Sequence, residues 1–294
     1  WSFEDVPNQE GKIAIVTGAN SGTGFESTKM LARKGAKVIM GCRSRKRATN
    51  AKQKIEEEHH ELDLEIMLID LSNLSSIKEF AKSFVAQYNR LDVLLNNAGV
   101  MMTPYQKTTD GFELQFGVNH LGHFALTGLL IESLFNTPKS RIVTVSSTAH
   151  KFGKINFEDL QWEDSYSKFR SYAQSKLANL LFAYELQRRL DKRKTSTISV
   201  AAHPGWTDTK LQRHSGVLMF VNKIVAQDQF MGALPIVYAA TAKEVKGGEF
   251  YGPDGWLELK GNPIKVESNQ RSHDKKVAEK LWDVSEDLTG IQYP

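Results

Sequence analysis

The chain has 294 residues, 40% of them hydrophobic and 24% charged, with no low-complexity tract, a composition that excludes a disordered or fibrous protein. Its net charge of +4, from 38 basic against 34 acidic residues, is small and scattered, so nothing points to a nucleic-acid partner. The one cysteine, Cys42, excludes an internal disulfide, and no apolar stretch is long and unbroken enough to span a bilayer.

The N-terminal stretch WSFEDVPNQEGK has neither the basic start nor the apolar centre of a secretory signal. A soluble, cytoplasmic protein is expected, unless a further segment precedes Trp1, which is not Met. Strand patterns then cover Lys12–Thr17, Lys37–Met40, Glu65–Ile69, Val93–Asn96, Arg141–Ser146 and Thr197–Ala202. Helical periodicity falls between them, at 22–34, 45–60, 73–89, 113–135 and 171–190. The strands read as continuous apolar runs, which favours a parallel sheet covered on both faces. The expected class is therefore α/β, a Rossmann-type doubly wound parallel sheet in three α/β/α layers. Its ligand crevice lies at the carboxyl ends of the strands. No linker divides the chain, so one domain is expected over 1–294, with its core at 12–202. Residues 203–232 break the alternation and read as a cover over the crevice. Residues 248–294 form a C-terminal extension, with GGEFYGPDG as a last strand and turn and Asp274–Leu288 as a closing helix.

The first turn reads VTGANSGTG. Glycine permits unusual dihedrals and close approach of a ligand, and a helix starting near Gly22 aims free N–H groups at an anion. Taken alone, such a turn serves either a phosphate or only the backbone. The pattern Thr17-Gly18-x-x-x-Gly22-x-Gly24 resembles the TGxxxGxG turn of the short-chain dehydrogenase/reductase family. That resemblance implies a nicotinamide dinucleotide held by Gly18, Asn20, Ser21, Gly22, Thr23 and Gly24. Thr23 departs from the family's usual Ile or Leu, and its hydroxyl needs a partner.

At the end of the second strand an acidic residue would bind a ribose 2′-hydroxyl, and a cation would accept a 2′-phosphate. The chain reads VIMGCRSRKR, with Cys42 at the acidic position and Arg43 next, followed by Arg45, Lys46 and Arg47. A basic first turn can be a solvated surface. Together with the missing acid it favours NADP(H) over NAD(H). Cys42 is expected to be a small packed residue rather than a redox centre. In IDLSN, Asp70 resembles the family residue that bonds the adenine amino group, with Leu71 beside the ring, although Asp70 also suits a plain turn. NNAG matches a second family motif, implying that Asn97, Ala98 and Gly99 brace the sheet and line the cofactor site.

Tyr172 and Lys176 stand four apart in SYAQSKLANLLF, on one helix face. A free tyrosine titrates near ~10, and a nearby ammonium favours the phenolate, so Lys176 is expected to lower the Tyr172 pKa. Spacing alone does not carry this pair, because among eight tyrosines a lysine four positions after one of them arises easily by chance. Its company does. RIVTVSSTAH puts Ser147 just beyond the fifth strand, matching the family's substrate-orienting serine. Asn119 in FGVNHLGHF matches the fourth catalytic member, although an asparagine there also simply bends a helix. HPGWTDTK matches the nicotinamide-side segment, implying contacts from Pro204, Gly205, Thr207 and Thr209. His120 and His123 lack a second pair or carboxylate at ligand spacing, so no metal is expected.

The resemblance implies reduction of an aldehyde or ketone, reversible to an alcohol. The motifs GVNHLGHF, SKLAN and HPGW are most similar to the retinol-dehydrogenase-like and protochlorophyllide-reductase-like branch, which implies a small lipophilic substrate. Met101, Met102, Phe152, Phe157, Trp162, Phe169 and Trp206 are its candidate wall, with core packing the equal alternative. Two rivals stand beside this reading: a non-catalytic NADP(H)-binding sensor, and a reductase of C=C bonds. Oligomeric state stays open, a homodimer through the fourth- and fifth-helix faces being frequent in the family.

Overall fold

The computed structural model describes residues 1–206 and 227–294. Strand β1 (Ile13–Thr17) is followed by α1 (Gly22–Arg33), β2 (Lys37–Cys42), α2 (Arg45–Glu58), β3 (Leu64–Leu68), α3 (Leu74–Gln87) and β4 (Val93–Asn96). The second half carries α4 (Leu114–Phe116), α5 (Gly122–Phe135), β5 (Arg141–Val145), α6 (Lys168–Arg193) and β6 (Ile198–Ala202). Beyond the 207–226 segment lie α7 (Gln229–Thr241), β7 (Phe250–Pro253), β8 (Pro263–Lys265) and α8 (Lys275–Thr289).

The strands form one sheet in the order β3-β2-β1-β4-β5-β6-β7-β8. All neighbours run parallel except β7 and β8, which pair antiparallel. The order reverses between β1 and β4, which is where a doubly wound sheet opens a crevice at its carboxyl edge. Successive side chains of a strand point to opposite faces. Ala14 and Val16 of β1 join a core under α1 and α7, while Ile15 joins a second core under α3, α5 and α6. Val93 and Leu95 divide from Leu94 in the same way. The unbroken apolar runs are thus explained by two covered faces, as a Rossmann-type fold requires.

Three elements differ from the sequence expectation. The helix expected over 113–135 is interrupted by a π-helical turn, Gly117–Leu121, in which Gly122 N–H bonds to Gly117 O. Residues 229–232, assigned by sequence to the cover, are instead the first turn of α7, which packs on α1. Its internal Pro235 disguised the helix. Strand β8 begins at Pro263 on the sheet edge, where a missing N–H costs nothing.

Candidate active site

The turn after β1 needs its glycines. Gly18 and Gly22 have φ of +70° and +61°, and a Cβ on Gly24 would lie 2.5 Å from Gly18 O. Ser21 precedes α1 without making a side-chain capping bond, so the first N–H groups of that helix remain open to an anion. Thr23 Oγ1 donates to Asn97 Oδ1 at 2.9 Å, which supplies the partner its hydroxyl required. Asn97 in turn donates from Nδ2 to Thr17 O (2.9 Å) and from its backbone to Thr17 Oγ1 (2.9 Å), and Ala98 N–H donates to the same hydroxyl at 3.0 Å. Asn97 and Ala98 therefore brace β4 against β1. Gly99 leaves room: a Cβ there would stand 3.1 Å from Asn119 Oδ1 and 3.7 Å from Lys176 Nζ.

Around the expected adenosine end, Arg43 is exposed directly after β2, and Arg45, Lys46 and Arg47 open α2. Among the described residues, none of these four side chains makes a hydrogen bond or ion pair. Burial pushes the Cys42 thiol up to about 12, which leaves it an unreactive packed group. Asp70 Oδ1 accepts from Ser72 N at 2.9 Å and Ser72 Oγ at 2.6 Å, a turn function. Leu71 is buried, with its carbonyl against Gly122 at the start of α5.

The four chemistry candidates sit at the carboxyl edge of β4, β5 and β6. Ser146 is taken up structurally, donating to Lys176 O at 2.8 Å, whereas Ser147 caps the next turn by accepting from Ala149 N at 3.2 Å. Lys176 Nζ donates to Val145 O at 3.1 Å and stands 5.8 Å from the centre of the Tyr172 ring. Asn119 lies inside the π-turn and is fully buried. Its Oδ1 accepts from Val100 N (2.8 Å), and its Nδ2 donates to Val100 O (3.0 Å) and Ser175 Oγ (2.9 Å). Ser175 Oγ then donates to Tyr172 O at 2.8 Å.

Electrostatics here reverse one expectation. Lys176 does not bring the phenol down: burial raises Tyr172 to about 12, and the lowering influence comes from the Ser147 hydroxyl. The ammonium carries the opposite penalty, its pKa lowered by burial to about 8. Both groups are shut away from water, at 8% and 5% exposure, and that burial is the leading cause of both shifts.

Some supporting residues escaped the sequence reading. Buried Gln115 accepts from Met102 N at 2.7 Å and donates to Lys168 O at 3.0 Å, fixing the entry of α6 one turn before Tyr172. Ser175 is adjacent to Lys176 and three residues past Tyr172, a spacing that flags it in hindsight. Of the candidate wall, Phe157 packs into the core beside α8, whereas Phe152 and Phe169 meet at the surface with ring centres 5.6 Å apart. Gly205 has φ +65° and donates to His203 Nδ1 at 3.2 Å, next to Pro204. Thr207 and Thr209 lie outside the described residues. Among the described residues there is no cluster of metal-ligating side chains, and no helix is long and apolar enough to cross a membrane.

The residues present fit a nicotinamide dinucleotide. The side-chain-uncapped N-terminus of α1 suits a diphosphate. The buried Lys176 ammonium spends one donor on Val145 O and has further N–H groups for a ribose.

A family model described as short chain dehydrogenase matches residues 12–216. Retinol dehydrogenase 14 of Homo sapiens is 42% identical over 303 residues, covering 96% of this chain and 87% of that protein. Retinol dehydrogenase 12 of Mus musculus is 40% identical over 288 residues, covering 96% and 88%. Among solved structures, an uncharacterized protein from Mycobacterium paratuberculosis matches with a TM-score of 0.85 at 40% identity, over 100% of this chain and 99% of that one. The Pseudomonas aeruginosa RhlG/NADP active-site complex matches at a TM-score of 0.67 and 19% identity over 85% and 97%, a likeness of fold alone.

Proposed function

The chain belongs to the short-chain dehydrogenase/reductase family, in its retinol-dehydrogenase-like branch, and from that premise we propose that it interconverts a lipophilic aldehyde or ketone and its alcohol with NADP(H). What carries the reading is one constellation, the buried Tyr172 and Lys176 on α6 and Asn119 in the π-turn with the half-buried Ser147 beyond β5, at the carboxyl edge of a doubly wound sheet. When bound, the nicotinamide supplies the hydride in reduction and accepts it in oxidation.

Tyr172 holds its proton at neutral pH, since burial raises it to about 12, and that suits it to protonate a carbonyl oxygen. The Ser147 hydroxyl donates to the same oxygen as negative charge grows on it. Lys176 keeps a positive charge under the phenol and binds ribose. Asn119 fixes the Val100 backbone, and through Ser175 it fixes the helix turn that carries Tyr172. The cations Arg43, Arg45, Lys46 and Arg47, whose side chains make no hydrogen bond or ion pair among the described residues, support a 2′-phosphate, hence NADP(H). Relatives named retinol dehydrogenases, together with the exposed Phe152–Phe169 pair near the Tyr172 turn, support a lipophilic substrate.

The test is a panel of lipophilic aldehydes and ketones, retinoids included, offered with NADPH and with NADH. Carbonyl-dependent NADPH oxidation yielding the alcohol is expected. Tyr172→Phe should slow it by about 10²- to 10⁴-fold. Full turnover by Tyr172→Phe, or no consumption of any substrate, overturns the reaction. Equal use of NADH overturns the cofactor assignment, and a saturated carbonyl product makes the protein a C=C reductase.

A further inference from the structure

We propose that His123 is a positioning residue that locks the dinucleotide turn after β1 to the π-turn holding Asn119; the inference rests on the oxidoreductase reading above. The imidazole is buried on all sides, at 1% exposure, and both ring nitrogens are engaged. His123 Nδ1 lies 2.9 Å from Asn119 O, and Thr17 Oγ1 lies 2.9 Å from His123 Nε2.

The chemistry of the partners fixes the tautomer. A backbone carbonyl can only accept, so Nδ1 carries the proton. Burial keeps the ring neutral down to about 4, so Nε2 is then an acceptor and the Thr17 hydroxyl is its donor. Thr17 Oγ1 also receives the N–H groups of Asn97 and Ala98, with Leu95 O at 3.1 Å as the competing acceptor for its proton. Thr17 immediately precedes Gly18, and 106 residues separate it from His123. One ring thus joins the ends of β1 and β4 to the carbonyl of Asn119. Its neighbour His120 does nothing comparable: its Nε2 meets Ser285 Oγ at 2.9 Å, which ties the π-turn to α8 and not to the turn after β1.

The two halves of this link separate by substitution. In His123→Asn the amide nitrogen takes the place of Nδ1, so the bond to Asn119 O survives and that to Thr17 is lost. In His123→Gln the longer side chain reaches the place of Nε2 and keeps Thr17, losing the Asn119 bond. The expected result is a crossed pattern. His123→Asn weakens NADPH binding about tenfold more than His123→Gln does, and His123→Gln lowers kcat about tenfold more than His123→Asn does, the size expected for one buried hydrogen bond. Histidine nitrogen NMR of the cofactor-free protein should show His123 protonated at Nδ1. Parallel losses of binding and kcat that merely follow Tm overturn the proposal, as does an Nε2-protonated ring. If the wild-type protein binds NADPH but turns over no carbonyl, the proposed reaction fails, while the tautomer and the binding difference still decide the link to Thr17.

Discussion

The hydroxyl of Thr23 and the amide oxygen of Asn97 meet at 2.9 Å, so a side chain in the first turn of α1 is tied to the end of β4. The family's usual Ile or Leu lacks such a hydroxyl, so this bond compensates for the smaller, polar residue. Thr23→Val should therefore cost about 1 kcal/mol of unfolding free energy, the worth of one hydrogen bond, and Thr23→Ser should cost less. Urea denaturation of the three proteins checks the order; a Thr23→Val as stable as the parent removes the bond's importance.

Lys176 gives a prediction of opposite sign for stability and activity. Its pKa is lowered from 10.5 to about 8 by burial, so the unfolded chain binds the extra proton between those values. Stability consequently rises as pH rises from about 8 to about 10.5, and below 8 the folded state bears the whole penalty. Replacing the ammonium by an apolar chain of similar length, Lys176→Met, should stabilise the protein at pH 7 by on the order of 3 kcal/mol or less, while abolishing turnover. The stability gap to wild type should shrink toward pH 10.5. Melting curves at pH 7 and pH 10 measure it, and a gap that widens with pH contradicts the assignment.

Acid should unfold the protein in a defined window. Burial lowers His123 and His150 to about 4 and His120 to about 3. The unfolded chain protonates these rings near pH 6.5, so stability is lost as pH falls from 6.5 to about 4, by on the order of 3 kcal/mol for each. Unfolding at pH 7, 6, 5 and 4 should show proton uptake across that interval. A flat profile from 7 to 4 would show that the rings are charged or exposed.

Among the described residues the side chains of Arg43, Arg45, Lys46 and Arg47 make no hydrogen bond or ion pair, and the proposed cofactor choice rests on them. Arg43→Ala should raise the NADPH Kd about 10- to 100-fold, as expected for loss of a charge-assisted bond to phosphate. NADH binding should move by less than about threefold, since NADH presents no 2′-phosphate. Calorimetric titration with both nucleotides reads the contrast; equal losses for the two would place Arg43 elsewhere in the site.

Much of this was legible in the chain. The apolar runs at β1, β4 and β5 reveal buried parallel strands because each serves both cores. The glycines of the first turn and the order of Asn119, Ser147, Tyr172 and Lys176 identify the edge of the sheet where the candidates gather. What stayed hidden has physical causes. The π-turn hides because its residues fit helical periodicity as well as an α-helix would. Helix α7 hides behind Pro235, and β8 is three residues long on an edge. The Tyr172 shift ran contrary to expectation because spacing records which groups are neighbours and says nothing of how much water either one loses.

The π-turn at Gly117–Leu121 has a consequence for chain length. Such a turn accommodates one residue more than the α-helical turn it replaces. Each residue of an α-helix advances about 100° around the axis. Deleting a single residue there would restore an α-helical turn with its flanks in phase, and would turn the side chains inside it by about that angle. Asn119, inside the turn, would then leave the Val100 backbone, while His123, on the following helix, would keep its direction toward Thr17. The count of residues in this segment therefore sets where Asn119 points, and a gap in this stretch of a related sequence marks a turn that presents another side chain in its place.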